Sequence, residues 1–184
     1  MGDLRIGTSG WNYPTGRGSW NGVFYPAKGQ RPKGFDELRY YAEHFNTVEV
    51  NSTFYGQPRA DVSRTWVERT PSDFEFSVKL YQQFTHPRMF KDTLGRVLRV
   101  GAPTSDALTA LAKPNASDLD EFRRGIHPLA EAGKLGALLI QFPPSFKSSE
   151  PEPHVGSLAV VDALELVGEM PMTLAMIRLT SDGV

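Results

Sequence analysis

Five short apolar runs punctuate the chain, at residues 4–7, 47–51, 74–80, 137–142 and 173–177, and each has the length of a strand. The stretches between them carry helical spacing. Phe35, Leu38, Ala42 and Phe45 follow one face of a first helix, and a second is predicted over about residues 60–69 with Val62 and Trp66 at i, i+4. A third is predicted after Ser117, which precedes Leu119, Phe122, Ile126 and Leu129 and has Asp120 three residues on, in capping-box position. A fourth is predicted over 155–167. Strand and helix in repeated alternation call for a parallel sheet with right-handed crossovers. Two stretches interrupt the pattern: residues 12–34, rich in Gly and Pro, read as a long loop after the first strand, and residues 89–115 read as an irregular insertion after the third.

A parallel strand covered by helices on both faces should be apolar throughout. These strands are not. In the second, Val48 and Val50 share one face while Thr47, Glu49 and Asn51 share the other. In the third, Phe74, Phe76, Val78 and Leu80 oppose Glu75, Ser77 and Lys79. The fourth sets Leu138, Ile140 and Phe142 toward the helices and leaves Gln141 on the opposite face. One face is therefore polar in successive strands, which a (β/α) barrel explains, because its inner face opens into a mouth at the carboxyl ends of the strands. Glu49, Asn51, Lys79 and Gln141 all fall late in their strands. Adjacent strands lie about 5 Å apart, so Glu49 and Lys79 meet if their strands are neighbours in register. Such a pair has two readings. It is a structural ion pair, or it is a device in which the ammonium favours the charged carboxylate and tunes a proton-transfer group.

Composition narrows the choices. The 184 residues are 40% hydrophobic and 22% charged, enough for one domain with a real core. No run of about eighteen apolar residues occurs and the start is not signal-like, so neither a membrane nor export is expected and a cytoplasmic location is the default. With no cysteine, disulfides, thiol nucleophiles and thiolate metal sites are excluded. A net charge of −1, with Lys and Arg scattered, disfavours nucleic acid as a partner. His44, His86, His127 and His154 show no zinc-type spacing, so no metal ligand set is nominated, and no Walker loop, dinucleotide fingerprint or nucleophile elbow appears. No cofactor is nominated either. Trp11, Tyr13, Trp20, Phe24 and Tyr25 cluster in the first loop, where they serve either to pack that loop or to stack on a sugar or base.

The motifs "IGTSGWNYP", "VEVNSTFYGQP", "FEFSVKLYQQFTHPR" and "LGALLIQFPPSFK" occur in order from about Leu4 to Lys147 and resemble the YecE-like family, domain of unknown function 72. The resemblance implies a TIM-type (β/α) barrel and leaves the biochemical activity open. It carries Gly7, Ser9, Gly10 and Trp11 from the first motif, and Glu49, Asn51 and Tyr55 from the second, with Phe54 as a packing residue. The third supplies Lys79, Thr85 and His86, and the fourth Gln141. Past Lys147 the likeness fades: where the family carries a strand like "AVEFRH", this chain has "LAMIRL", with Ile177 in place of the Glu and Arg178 retained.

The expected architecture is a single incomplete barrel, about five of eight strand–helix units, with residues 1–147 family-like and 148–184 a divergent tail. A full barrel takes about 250 residues, so a fragment, a shifted reading frame near Ser148, or half of a self-associating pair joined through open sheet edges would account for the shortfall. Three functions compete. The first is an enzyme on a small polar or phosphorylated ligand, with Glu49 as general base, Lys79 as stabiliser or acid, and His86 as the third candidate catalytic residue. Ser9, Trp11, Asn51, Tyr55, Gln141 and Arg178 would bind its substrate. The second is a binding module using the same mouth without turnover, and the third an inactive truncated relative.

Overall fold

The computed structural model describes residues 4–13, 19–98, 104–143 and the backbone of 174–179. The predicted fourth helix lies outside these residues. Five parallel strands, β1 (Gly7–Ser9), β2 (Thr47–Val50), β3 (Glu75–Lys79), β4 (Leu135–Phe142) and β5 (Leu174–Leu179), pair in sequence order, and the described sheet is open at β1 and β5. All five predicted strands are present. Their boundaries shift by a few residues; the first starts three residues later than its apolar run.

Period-two alternation decides the two faces. Val48, Val50, Phe76, Val78, Leu138, Ile140 and Phe142 are all buried and point to the helix layer, where they meet Leu38, Tyr41, Trp66, Phe122, Ile126 and Leu129. Thr47, Glu49, Glu75, Ser77, Lys79 and Gln141 alternate with them on the other face and are each partly exposed.

The helical layer comprises α1 (Glu37–Ala42), the short α2 (Ser52–Tyr55), α3 (Ala60–Glu68), the short α4 (Gln82–Thr85), α5 (Pro87–Val97), α6 (Ser105–Ala112) and α7 (Ala116–Glu131). In α3 the buried stripe runs through Ser63 and Trp66, and Val62, expected inside, is 38% exposed. The expected irregular insertion at 89–115 is mostly helical. Pro87 opens α5 at its first turn, where a missing N–H costs nothing, and the Thr104 side chain caps α6.

Helix α7 is capped by Asn115, two residues before the predicted Ser117 cap. The Asn115 side chain accepts from Ser117 N at 2.8 Å and Asp118 N at 3.2 Å, and Asp118 returns the bond to Asn115 N at 2.9 Å, a reciprocal capping box. Asn115→Ala should therefore cost about 1 kcal/mol in urea unfolding, with Ser117→Ala within about 0.5 kcal/mol of the parent.

The amino-terminal rim of the sheet is laced together. Asn46 accepts from Ile6 N and donates to Leu4 O, while Arg5 pairs with Glu75 at 2.8 Å and reaches Asp73 O. Lys134, only 5% exposed, donates to Val67 O, Thr70 O and Thr70 Oγ1 at 2.8–3.0 Å, satisfying carbonyls at the end of α3. Among the described residues no helix is long and apolar enough to cross a membrane.

Candidate functional site

The opposite, carboxyl-terminal rim carries the candidate residues in two clusters. The first is built by β1 and β2, which pair Ser9 with Glu49. The Ser9 hydroxyl donates to Glu49 Oε1 at 3.0 Å and accepts from Asn51 Nδ2, so amide, hydroxyl and carboxylate form a directed chain ending on the acid. Two main-chain features fix this chain in place. Gly10, at φ +83°, turns the backbone out of β1 and donates its N–H to Glu49 O at 2.8 Å, and Tyr13 donates its hydroxyl to Ser9 O. Asn51 has left the strand: its backbone is helical, and it opens the short α2. The β-branched run ends at Val50, and the Ser-Thr pair that follows favours a turn.

The second cluster lies on β3 and the segment after it. The sequence made Glu49 and Lys79 partners if their strands were neighbours in register. The strands are neighbours, but Glu49 sits opposite Ser77, and Lys79 falls two residues farther along the same face. The Lys79 ammonium lies 4.4 Å from the centre of the Phe54 ring, and the His86 imidazole packs perpendicular to that ring at 5.0 Å. Thr85 Oγ1 and His86 Nδ1 are hydrogen-bonded at 2.8 Å, which fixes the imidazole's rotation. Burial, and secondarily the Lys79 charge, hold the His86 pKa below its ordinary value. The imidazole is thus neutral near pH 7 and presents a single N–H.

Phe54 joins the two clusters, being buried on α2 three residues after Asn51 and under Lys79. Thr53 reinforces the junction by bonding Lys79 O at 2.6 Å and Val50 O at 3.0 Å. Sequence reading assigned Phe54 to packing and passed over Thr53. The Asn-Ser-Thr-Phe string was the available signal, but that its turn folds against β3 depends on strand order.

The remaining candidates are more dispersed. Trp11 packs edge-on against Trp66 at 5.6 Å, and Tyr55 is 65% exposed beside Phe54. Gln141 is partly exposed near the end of β4, in register with Arg178 on β5; the Arg178 side chain lies outside the described residues. The first-loop aromatics Trp20, Phe24 and Tyr25 pack on one another and on α1, so packing explains them. Arg31 anchors the same loop, pairing with Glu37 at 2.7 Å and lying 4.9 Å from the Phe35 ring.

Ser9, Glu49 and Ser77 line a concavity of about 280 Å³ on the polar face, floored by Ala137 and Leu139 of β4 and reaching Arg5. Small side chains on β3 and β4 leave this space. Such an arrangement defines an α/β protein whose carboxyl-terminal sheet rim concentrates polar groups above a hollow.

The chain belongs to the DUF72 family, whose model, described as a protein of unknown function, matches residues 5–173. It is 30% identical over 144 residues to the UPF0759 protein YunF of Bacillus subtilis, a match covering 78% of this chain and 41% of YunF. A shorter match, 42% identical over 53 residues, covers 29% of this chain and 20% of the UPF0759 protein YecE of Escherichia coli K12. The crystal structure of a DUF72 family protein from Thermotoga maritima aligns with TM-score 0.55 and 28% identity, covering 95% of this chain and 55% of that one. One from Enterococcus faecalis aligns with TM-score 0.55 at 19% identity, covering 95% and 51%, a likeness of fold. The chain spans about half the length of these solved structures, and less than half of YunF.

Proposed function

We propose that the carboxyl-terminal rim is the active site of an enzyme acting on a small polar molecule, with Glu49 as its general base. The observation that carries this reading is the Asn51–Ser9–Glu49 chain of hydrogen bonds at the edge of the hollow. A carboxylate with one oxygen fixed by a serine hydroxyl is oriented and retains lone pairs for a substrate proton. Lys79 supplies positive charge on the same face, and His86 a neutral donor beside it. The open sheet is read as the first five strands of a TIM-type barrel; the same-face polarity and the likeness to solved structures of about twice the length support this.

The test is a panel of sugars, sugar phosphates and hydroxy acids incubated with the full chain and followed by NMR for product. Glu49→Gln should lower turnover of any substrate about a hundredfold or more with little change in its affinity. Saturable binding without product would favour a binding module using the same rim. An unchanged rate in Glu49→Gln would remove Glu49 from the chemistry.

A further inference from the structure

We infer that Ser9 is a nucleophile and that the reaction at this rim is acyl transfer from a small ester, with the acyl group carried on Ser9 Oγ between its two halves. The inference rests on the reading of Glu49 as a general base and names the atom whose proton it first takes.

Acyl transfer by a hydroxyl needs a base in contact with the attacking oxygen and a donor for the negative charge that forms on the carbonyl oxygen. Ser9, Glu49 and Asn51 meet that need. The Ser9 hydroxyl donates to Glu49 Oε1 at 3.0 Å, so its proton already lies on the line to the base. Of the two lone pairs on Oγ, one accepts from Asn51 Nδ2 and the second is left for attack. Asn51 stands at the start of α2, where an asparagine commonly caps, yet its side chain makes no capping bond and turns to Ser9 instead. An amide nitrogen carries two N–H groups. With one directed at Oγ, the other sits beside it, where the oxygen of a carbonyl joined to Oγ would fall. The nucleophile is also held still. Tyr13 donates to Ser9 O and the Gly10 N–H donates to Glu49 O at 2.8 Å, which fixes the main chain at both residues while Ser9 itself stays exposed.

The sheet sets the class of ester. Ser9, Glu49, Ser77 and Ala137 lie level on four successive strands, and all four line the hollow of about 280 Å³. Ser77 and Ala137 are small, and Leu139 makes part of the floor apolar. Pockets for drug-sized ligands run from about 300 Å³ upward, so this space suits a short acyl chain lying across the strands and not a long one.

In the first half-reaction Ser9 Oγ bonds to the ester carbon as its proton passes to Glu49; the bond to the alcohol then breaks, and the alcohol leaves with that proton. In the second, water bonds to the same carbon and gives a proton to Glu49. The bond from that carbon to Oγ breaks, Ser9 regains the proton, and the carboxylic acid departs. Ester and water become acid and alcohol, with no further reactant.

The experiment incubates the full chain with p-nitrophenyl acetate, following p-nitrophenolate by absorbance and the protein by intact and peptide mass spectrometry. A burst of p-nitrophenolate and one acetyl group on the peptide bearing Ser9 are expected. Ser9→Ala should lose both, and Glu49→Gln and Asn51→Ala should each slow acylation about a hundredfold. Thermal melts verify that each variant is folded; if Ser9→Ala does not fold, the position of the acetyl group in the parent decides the matter. The inference is overturned by the lack of an acetyl group at Ser9, by a burst unchanged in folded Ser9→Ala, or by a hexanoyl ester that acylates Ser9 as fast as the acetyl ester. The two readings fail separately. Loss of ester turnover in Glu49→Gln but not in Ser9→Ala sinks only the nucleophile, and acetylation of Ser9 at the parent rate in Glu49→Gln sinks only the general base.

Discussion

Phe76→Ala should lower unfolding stability by about 3–5 kcal/mol, the range for emptying a large aromatic site in a packed core. Phe76 is fully buried at the middle of the sheet, level with Val48 on β2 and Leu135 on β4. Its ring stacks on Trp66 of α3 at 6.0 Å and meets Phe74 edge-on at 5.0 Å. Sheet on one side and helix on the other are held by their own hydrogen bonds, so the space would not readily collapse. Chemical denaturation with intrinsic tryptophan fluorescence as the probe checks this, and Trp66 reports the same locus. A loss below about 1.5 kcal/mol would show that the layers close over the vacancy.

Gly125→Ala gives a test of sign. In an exposed helix this change gains about 1 kcal/mol, but here the opposite is expected, a loss of about 3 kcal/mol by overpacking. A Cβ on Gly125 would lie 2.2 Å from the Pro58 carbonyl oxygen, a backbone atom that cannot rotate away. Ser63 also donates to Gly125 O at 2.7 Å, and that buried bond joins α3 to α7. Relieving the clash would stretch the bond and lift α7 from Trp66 and its neighbours. Thermal unfolding of the two proteins compares them directly, and a stabilised Ala variant would mean that the Pro58 carbonyl stands farther from α7.

How much of this was readable in the sequence depends on the range of the interaction. The faces of β2 and β3 were legible because the period of a strand is two, and Val48, Val50, Phe76 and Val78 keep to it without exception, whereas β4 is buried on both faces up to Ile140 and only Gln141 breaks the run. Strand order and register are not local. The sequence therefore placed Glu49 and Lys79 in adjacent strands but had no means of showing that Ser77, and not Lys79, lies opposite Glu49. Asn51 was read as strand because it continues the polar alternation; the turn it opens is set by contacts of Thr53 with β3. The segment 89–115 reads as irregular when its Gly and Pro are taken as loop signals, and the helix starts at Pro87 and Thr104 are local signals which that reading leaves unused. The pairing of Lys79 with His86 across Phe54 joins segments some thirty residues apart and needed coordinates.

The lacing of Arg5, Asn46, Glu75 and Lys134 has a bearing on how such a molecule could diversify. Its fasteners sit where strands begin, and the groups suited to chemistry sit where strands finish. Inheritance could therefore rewrite one end of the sheet while the other kept the chain folded, so relatives with a shared scaffold need not share a substrate.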